Sequence, residues 1–267
     1  MNKIVVVIFP DEEAGHKGVS AFEALHSDGA LTVYAGALIV KDADGNVSVR
    51  EEEGKRPFGT VVGAVLGGLL GLIGGPGPAV VGAAGGALMG RWRDALDVGE
   101  GVDFVDRVSE RLTPGKSAIV AEIGEDEVTP LDARMEALGG MVLRDLRIEA
   151  EDERLRQEAE ARKAELARLR AERDRSAYDE VKATLSSRID AVEAKLKALS
   201  DRAEARLDLL RREAESRAAI LRDQAAGAQA EIKERCDRRA DEIRAEYDRR
   251  ARKLRQALDL AKEALAP

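Results

Sequence analysis

Apolar residues recur at helical spacing through the last third of the chain. From Tyr178 to Leu265 an apolar residue stands at every third or fourth position, and the mean step of about 3.6 residues lies between the heptad and eleven-residue repeats. No proline interrupts residues 131–266. The pattern predicts a coiled coil over 178–266 with little supercoiling. Its predicted seam contains Leu185, Ile189, Val192, Leu196, Leu199, Leu207, Leu210, Leu221, Ile232, Ile243, Leu254 and Leu258.

A seam this narrow predicts that the coil has partner helices. One helix cannot bury the seam alone, and the simplest partners are other copies of the chain. The coil is also a surface on which a different protein could be recruited. A lone charged helix is the less favoured alternative, because no polar residue breaks the seam. A continuous helix would form a rod of about 130 Å, and we predict its bend at Gly227.

The charges of this segment favour an exposed helix surface. Acidic residues stand four positions before basic residues at several places, and such pairs stabilise a solvated helix face. We therefore predict that these side chains lie on the outside of the coil. Residues 150–177 are less regular, and we interpret them as a charged helical linker. The pairs are Asp208/Arg212, Glu213/Arg217, Glu231/Arg235, Glu234/Arg238, Glu246/Arg250 and Asp248/Arg252.

Charge and cysteine content exclude some classes of protein. The net charge is −8, and acids and bases are nearly equal in number after residue 150, so the tail lacks the single-sign stripe that binds a phosphate backbone. We expect no nucleic-acid partner. The single cysteine, Cys236, excludes an internal disulfide. The first apolar run, Ile4–Phe9, is too short for the core of a signal peptide.

The first half of the chain predicts alternating strands and helices. The order strand, helix, two strands, helix, strand is that of a ferredoxin-like α/β sandwich, here with an extra helix and strand. We therefore predict an α+β domain of this kind, interrupted by a glycine-zipper helical hairpin and followed by the long coiled coil. The predicted strands are 4–9, 31–40, 46–50, 116–123 and 141–148, and the predicted helices are 12–26, 103–112 and 129–138.

Residues 58–90 contain no charged side chain, although 35% of the chain is charged. Glycine recurs every four residues on both sides of a Gly/Pro turn, which is the small-xxx-small pattern of closely packed helices. At about 1 kcal/mol each, the nine glycines of the two arms would cost on the order of 9 kcal/mol of helix propensity in water. An external partner must offset this cost. The predicted packing residues are Gly59, Gly63, Gly67, Gly71, Gly82, Gly86 and Gly90.

Lipid is the partner that we favour for this hairpin. Arms of about 24 and 20 Å are shorter than the roughly 30 Å hydrocarbon core, so we expect the hairpin to dip into the bilayer rather than span it. Positive charge at both ends favours insertion from the cytoplasm. The alternative is a soluble homo-oligomer, ring or shell-like, in which the hairpins pack together. The predicted interface anchors are Lys55, Arg56, Arg91, Trp92 and Arg93.

The order of several segments resembles a known bacterial family. FPDEEAGHKGVSAFEAL, ALIVKDADGNVSV, the glycine-rich stretch, LTPGKSAIVAEI and LGGMVLRDL together resemble the domain of unknown function twelve sixty-nine, DUF1269, a family of predicted membrane proteins. The resemblance covers roughly residues 1–148 and brings no catalytic motif. It implies a membrane-associated α+β domain, to which this chain adds a tail. The predicted divisions are 1–56, 57–91, 92–149, 150–177 and 178–266.

No arrangement of residues predicts catalysis, a cofactor or a metal site. His16 and His26 lie on different faces of one predicted helix, and Asp42 and Asp44 fit a hairpin turn better than a calcium loop. Cys236 falls on the apolar seam. We therefore expect a non-enzymatic homo-oligomeric scaffold or spacer on the cytoplasmic side of the inner membrane, or a cytoplasmic assembly if the hairpins pack without lipid. An enzyme with a site between subunits is a third hypothesis, for which no residue can be nominated.

Overall fold

The computed structural model describes residues 2–50, 100–145 and 150–266. The chain divides into two compact units. The first contains residues 1–147 and 215–243, and we call it the α+β unit. The second contains residues 148–214 and 244–267, and we call it the helical unit. A stretch from the middle of the predicted coil therefore belongs to the same unit as the sheet.

Strands and helices alternate in the first part of the α+β unit, as the sequence predicts. The strands are β1 (Asn2–Phe9), β2 (Leu31–Lys41), β3 (Val47–Arg50), β4 (Ser117–Glu125) and β5 (Met141–Asp145), and the helices are α1 (Glu12–Ser27), α2 (Glu100–Arg111) and α3 (Thr129–Glu136).

The described strands form one five-stranded antiparallel sheet in the order β3-β2-β4-β1-β5. The central pair is β1 with β4, in register from Asn2 opposite Gly124 to Phe9 opposite Ser117. β5 pairs with the other side of β1, and β2 pairs with β4 and β3. A mixed α and β class with an antiparallel sheet is thereby confirmed.

Helix α1 packs closely on the sheet because of its cap and its glycines. The Asp11 side chain accepts a hydrogen bond of 2.8 Å from the Ala14 amide, which satisfies one of the free donors of the first turn. Gly15 and Gly18 are buried against the sheet, and a Cβ on Gly18 would collide with the Phe9 ring. The absence of a side chain at these positions sets how near the helix approaches.

The core of this unit lies between one face of the sheet and helices α1 and α3. It contains Val5, Val7 and Phe9 from β1, with alternate residues of β2 and β4. Val19 and Phe22 of α1 and Leu131 and Met135 of α3 cover them. Alternation along each strand places one set of side chains on this face.

Helix α3 begins at Thr129, the first residue of the predicted helix, and Val128 precedes it with helical dihedral angles and no side-chain cap. Pro130 lies in the first turn, where its missing amide hydrogen costs nothing. The helix therefore starts with a proline instead of a hydroxyl cap.

The helical unit is formed by α4 (Ala150–Arg175), the first part of α5 (Asp179–Ala225) and the last part of α6 (Ala230–Leu265). The three helices share two buried apolar clusters. One contains Leu155, Ala159, Leu199, Ala203, Leu210, Ala251, Leu254 and Ala257. The other contains Leu166, Leu169, Leu185, Ile189, Val192, Leu196, Ala261 and Ala264.

These clusters correct two predictions. Residues 150–177 are not a solvated linker, since Leu155, Ala159, Leu166 and Leu169 of α4 are buried against α5 and α6. The tail after Tyr178 is also not a single rod, because α5 ends at Ala225 and α6 begins at Ala230, and helices of the same chain cover its seam. The burial of these residues therefore does not require other copies. The bend predicted at Gly227 is confirmed, with φ at +74° between α5 and α6.

Candidate functional site

The end of α5, the connecting residues 226–229 and the start of α6 form a helical tip, residues 215–243, within the α+β unit. Polar side chains of this tip reach the sheet. The amide nitrogen of Gln224 donates to the carbonyl oxygens of His26 at 2.6 Å and Leu31 at 2.9 Å. Its amide oxygen accepts a bond of 2.6 Å from the Thr32 hydroxyl. Gln224 thus fixes the tip to the beginning of β2.

Arg239 is the second anchor of the tip. Its side chain is 3% exposed and donates to Thr32 Oγ1 at 2.8 Å, to the Ala30 carbonyl at 3.3 Å and to Asp126 Oδ2 at 3.1 Å. The Thr32 hydroxyl therefore accepts from Arg239 and donates to Gln224. Because Thr32 is fully buried, loss of Arg239 would leave its oxygen without a donor, and loss of Gln224 would leave its hydroxyl proton without an acceptor.

A buried ion pair joins the tip to β4. Nη2 of Arg217 lies 2.5 Å from Oε1 of Glu122, and both side chains are less than a tenth exposed. Charges buried to this extent are tolerated only when they are paired, and removing one partner destabilises the other strongly. Arg217 and Arg239 thus approach neighbouring strands of the sheet from α5 and α6.

Tyr34 lies in an irregularity of the sheet near these arginines. The register of β2 against β4 shifts between Val33 and Ala35, which leaves Tyr34 as the extra residue. A Cβ on Gly124 would lie 2.7 Å from the Tyr34 hydroxyl oxygen, so only glycine leaves room for the ring. The hydroxyl group is buried without a hydrogen-bond partner among the described residues. Burial raises the pKa of Tyr34, so the side chain stays neutral.

His26 is a neutral acceptor at the edge of this site. Its Nδ1 accepts a hydrogen bond of 3.2 Å from the Val33 amide. Burial, and next the charge of Arg239, lower the pKa of His26 below its ordinary value. Protonation would remove the lone pair that Val33 uses and would place a second positive charge near Arg239.

Cys236 lies in the tip and has a structural position. The side chain is 2% exposed, and its thiol donates weakly to the Gln224 amide oxygen at 3.6 Å. Burial raises the pKa of this thiol. A neutral thiol packed in this way is a poor nucleophile, which agrees with its interpretation as a small seam residue.

The helical unit contains its own buried ionic cluster. Asp152 of α4 is fully buried and accepts from Arg250 Nε at 2.6 Å and from Arg206 Nε at 3.4 Å. Burial works to lower the pKa of Arg250, but the hydrogen bond and attraction to Asp152, together with the attraction to Glu246, raise it overall. One carboxylate therefore ties α4 to both of the other helices.

A third cluster crosses the edge of the sheet formed by β5. Glu125, 4% exposed, accepts from Lys3 at 3.1 Å and from Arg144 Nε at 2.9 Å. Arg144 also donates to Asp132 Oδ1 of α3 at 2.6 Å. This network links three strands and one helix by neutralising a buried carboxylate.

These clusters hold helices in place, and their charged groups are paired with one another. Among residues 2–50, 100–145 and 150–266, no group of three or more His, Cys, Asp or Glu side chains is arranged to hold a metal ion. In the same ranges, no helix has both the length and the apolarity needed to cross a membrane.

Residues 59–160 match the family model of DUF1269, a protein of unknown function. The resemblance to DUF1269 is therefore confirmed over these residues. The matched range starts later than the expected 1–148, since it omits β1, α1, β2 and β3, and it extends into α4. No curated protein and no solved structure matches the chain.

The glycines and anchors predicted as packing and interface residues fall within or just before the DUF1269 match and outside the described residues. Most of the predicted seam is buried, and Leu207, Ile232 and Leu258 are partly buried. The members of the seam belong to both compact units.

The arginines of the site were missed by sequence reasoning. Arg217 and Arg250 were assigned to the outside of the coil, but they are 7% and 4% exposed. Glu231/Arg235 and Glu234/Arg238 do form exposed pairs, at 3.2 and 3.0 Å. A signal was present, because Arg239 and Arg250 directly precede the seam residues Ala240 and Ala251 and so border the buried stripe.

Proposed function

We propose that the protein is a non-enzymatic, homo-oligomeric scaffold or spacer, anchored to the cytoplasmic face of a membrane by residues 57–91. One observation carries the proposal. Strand β3 ends at Arg50 and helix α2 of the same unit begins at Glu100, and the uncharged residues 58–90 stand between them in the sequence. An uncharged segment that is flanked on both sides by elements of one folded unit suits an insertion that enters lipid and returns to the same side.

The buried ionic clusters favour a rigid scaffold, because they fix the positions of helices. Asp152 ties three helices together, and Arg217 and Arg239 tie the helical tip to the sheet. Buried ion pairs of this kind favour a defined arrangement over maximal stability. The proposed function needs such an arrangement and needs no substrate.

We further infer a ferredoxin-like α+β unit with an added edge strand. The supporting observation is the strand order. If β3 is set aside, β5-β1-β4-β2 has the order of a split βαβ fold, with α1 and α3 as its two crossover helices. On this assignment β3 and α2 are additions, and they flank the DUF1269 glycine-rich segment.

The second candidate function is a soluble ring or shell-like assembly. The four-residue glycine spacing favours it, because glycine ridges pack helices closely in water-soluble contacts as well as in lipid. The two candidates differ in what covers residues 57–91: acyl chains in the first and neighbouring copies in the second.

Sedimentation with membranes tests the anchor. The full chain, expressed in a bacterium, is expected to remain in the membrane pellet after an alkaline carbonate wash. Release into the supernatant would overturn the anchor and favour the soluble assembly. The mass of the protein in detergent and in plain buffer then tests self-association.

A matched pair of variants separates close glycine packing from a general effect of bulk. Gly63→Leu with Gly67→Leu is expected to lower the oligomer mass in detergent. Ala194→Leu with Ala198→Leu adds the same side chains at the same spacing to exposed positions of α5 and is expected to leave the mass unchanged. Equal masses for the two double variants would contradict glycine packing.

A further inference from the structure

The apolar seam continues through the connection between α5 and α6 without a change of phase. Leu221 and Ala225 of α5, Ala228 of the connection and Ile232 of α6 keep steps of three or four residues. If residues 226–229 were helical, the seams of both helices would therefore lie on one face of a single helix. A connection that serves only as a turn would not need to keep the seams of both helices on one helical face.

The connection itself offers little resistance to becoming helical. Its residues are Ala226, Gly227, Ala228 and Gln229, of which three are good helix formers. Gly227 has φ at +74°, and a Cβ built on it would meet no atom within 4 Å. The bonds from Ala226 to the Arg222 and Asp223 carbonyls and from Ala228 to the Ala225 carbonyl are local. The left-handed conformation of one glycine thus defines the turn.

The buried contacts between the two helices are arranged symmetrically about this connection. In one apolar cluster, Leu199, Ala203 and Leu210 of α5 lie with Ala251, Leu254 and Ala257 of α6. Leu199 and Ala257 each stand 29 residues from Ala228, and Ala203 and Leu254 stand 25 and 26 residues from it. Two straight helices related by a two-fold axis at this point would place the same residues opposite each other.

We propose that two copies of this chain exchange α6, with α5 and α6 straightened into one helix and each α6 seated on α4, α5 and the start of β2 of the second copy. The contacts of α6, including those of Arg239 with Thr32 and Asp126, then form with the second copy. Arg250 to Asp152 and Lys163 to Glu263 join α6 to α4, and they form between copies as readily as within one. Because the same contacts are made, the balance depends on the turn and on protein concentration.

This inference goes beyond the proposed function, since it assigns self-association to the helices as well as to residues 57–91. Exchange by a hinge connection is a low-cost route to a symmetric dimer. The formation of the exchanged dimer is independent of lipid.

Two substitutions in the connection act in opposite directions. Gly227→Ala favours the straight helix, because alanine is disfavoured at positive φ and is a better helix former than glycine. Two connections straighten in each dimer, so dimerisation is expected to become at least a hundredfold tighter. Ala230→Pro suits the first position of α6 but breaks a continuous helix, and it is expected to weaken dimerisation at least a hundredfold. Gly227→Asn, which tolerates positive φ, is the control and is expected to stay near the wild type.

Cross-linking of isotopically mixed protein identifies the exchange itself. Full-length chains containing ¹⁴N or ¹⁵N are unfolded and refolded together, and the monomer and dimer fractions are treated with a carbodiimide. This reagent joins Lys163 Nζ to Glu263 Oε2, which lie 2.6 Å apart. With equal amounts of the two isotopes, copies pair at random, so about half of the linked peptides in the dimer fraction are expected to combine a light and a heavy half. Those in the monomer fraction are expected to be wholly light or wholly heavy.

Two results would overturn the exchange. One is a Gly227→Ala dimer in which every Lys163–Glu263 link joins two peptides of the same isotope. This result would overturn the exchange but not the proposed self-association through residues 57–91. The other is a Gly227→Ala protein that stays monomeric at the highest concentration while retaining its helical circular dichroism. If this variant fails to fold, the wild-type dimer fraction from a concentration series gives the same isotope readout, and same-isotope links there would overturn the exchange.

Discussion

The Arg250 Nε atom donates a hydrogen bond of 2.6 Å to Asp152 Oδ2 inside the helical unit, where the two residues are 4% and 0% exposed. Arg206 approaches the other oxygen of the same carboxylate at 3.4 Å. One acid on α4 therefore balances bases from both α5 and α6. The stability of the three-helix packing depends on this carboxylate more than on any of the surface pairs.

Replacement of Asp152 tests this dependence. Asp152→Ala leaves two arginines without their shared partner, and we expect the free energy of unfolding to fall by about 3–5 kcal/mol. Asp190→Ala removes the same side chain from an exposed helical position of the same unit and is expected to change it by at most about 0.5 kcal/mol. Urea unfolding followed by circular dichroism compares them, and similar losses in both variants would contradict a structural role for Asp152.

Arg239 should control the attachment of the helical tip. Arg239→Met removes the bonds to Thr32, Ala30 and Asp126 and leaves the buried Thr32 oxygen without its donor, at a cost of about 1–3 kcal/mol. We expect faster hydrogen exchange in residues 215–243 and at the start of β2. Arg238→Met is the control, since the neighbouring Arg238 is exposed and pairs with Glu234 on the surface. Unchanged exchange in Arg239→Met would show that apolar contacts alone hold the tip.

Gly29 tests a contact between α6 and the turn before β2. Its φ is +69°, and an added Cβ would lie 2.9 Å from Ile232 side-chain atoms. Gly45, with φ at +86°, has no atom within 4 Å of such a Cβ. In Gly29→Ala and Gly45→Ala the positive φ costs about 1–2 kcal/mol of the free energy of unfolding. We expect Gly29→Ala to lose a further 1–3 kcal/mol, about the cost of overpacking.

A double variant checks the origin of the difference between the glycines. Ile232→Ala removes the atoms with which the new Cβ collides, so Gly29→Ala should be less harmful in that background. Thermal unfolding of the four proteins in the cycle measures the coupling. Additive effects would mean that Ile232 does not cause the extra loss.

His26 should make the α+β unit sensitive to mild acid. Its pKa lies below the ordinary 6.5 in the folded protein, so the unfolded chain takes up the proton first as the pH falls. The contribution of neutral His26 to the free energy of unfolding is therefore fully present above about pH 6.5 and is lost as the pH falls towards the lowered pKa. His26→Asn should remove this decrease, and His16→Asn, which changes a surface residue near Glu12, should retain it. Urea titrations between pH 7.5 and 5.5 measure the slopes.

The alternation of strands and helices could largely be predicted from the sequence because it depends on local signals. β1 is a continuous apolar run closed by Pro10, and Asp11 marks the start of α1. The turn at Gly45 and the helix end at Gly29 both have positive φ, which glycine adopts without cost. Such features act over a few residues, so no knowledge of distant contacts is needed.

The polar site could not be predicted in the same way. Thr32 and Asp126 stand far along the chain from Arg239, and nothing in their spacing indicates that they meet. Tyr34 also escaped prediction, because a register shift in β2 depends on pairing with β4. Residues at separations of about a hundred or two hundred positions are brought together only by the fold.

The sequence by itself determined that the last third of the chain is helical, that one face of it is apolar and that a bend occurs at Gly227, because these properties follow from helical periodicity and backbone preference. It did not determine what covers that face. Another copy or a second helix of the same chain can cover an apolar seam equally well, because the hydrophobic effect is not directional. The tertiary structure decided this when α4, α5 and α6 folded against one another and Asp152, Arg217 and Arg239 found partners inside the same chain.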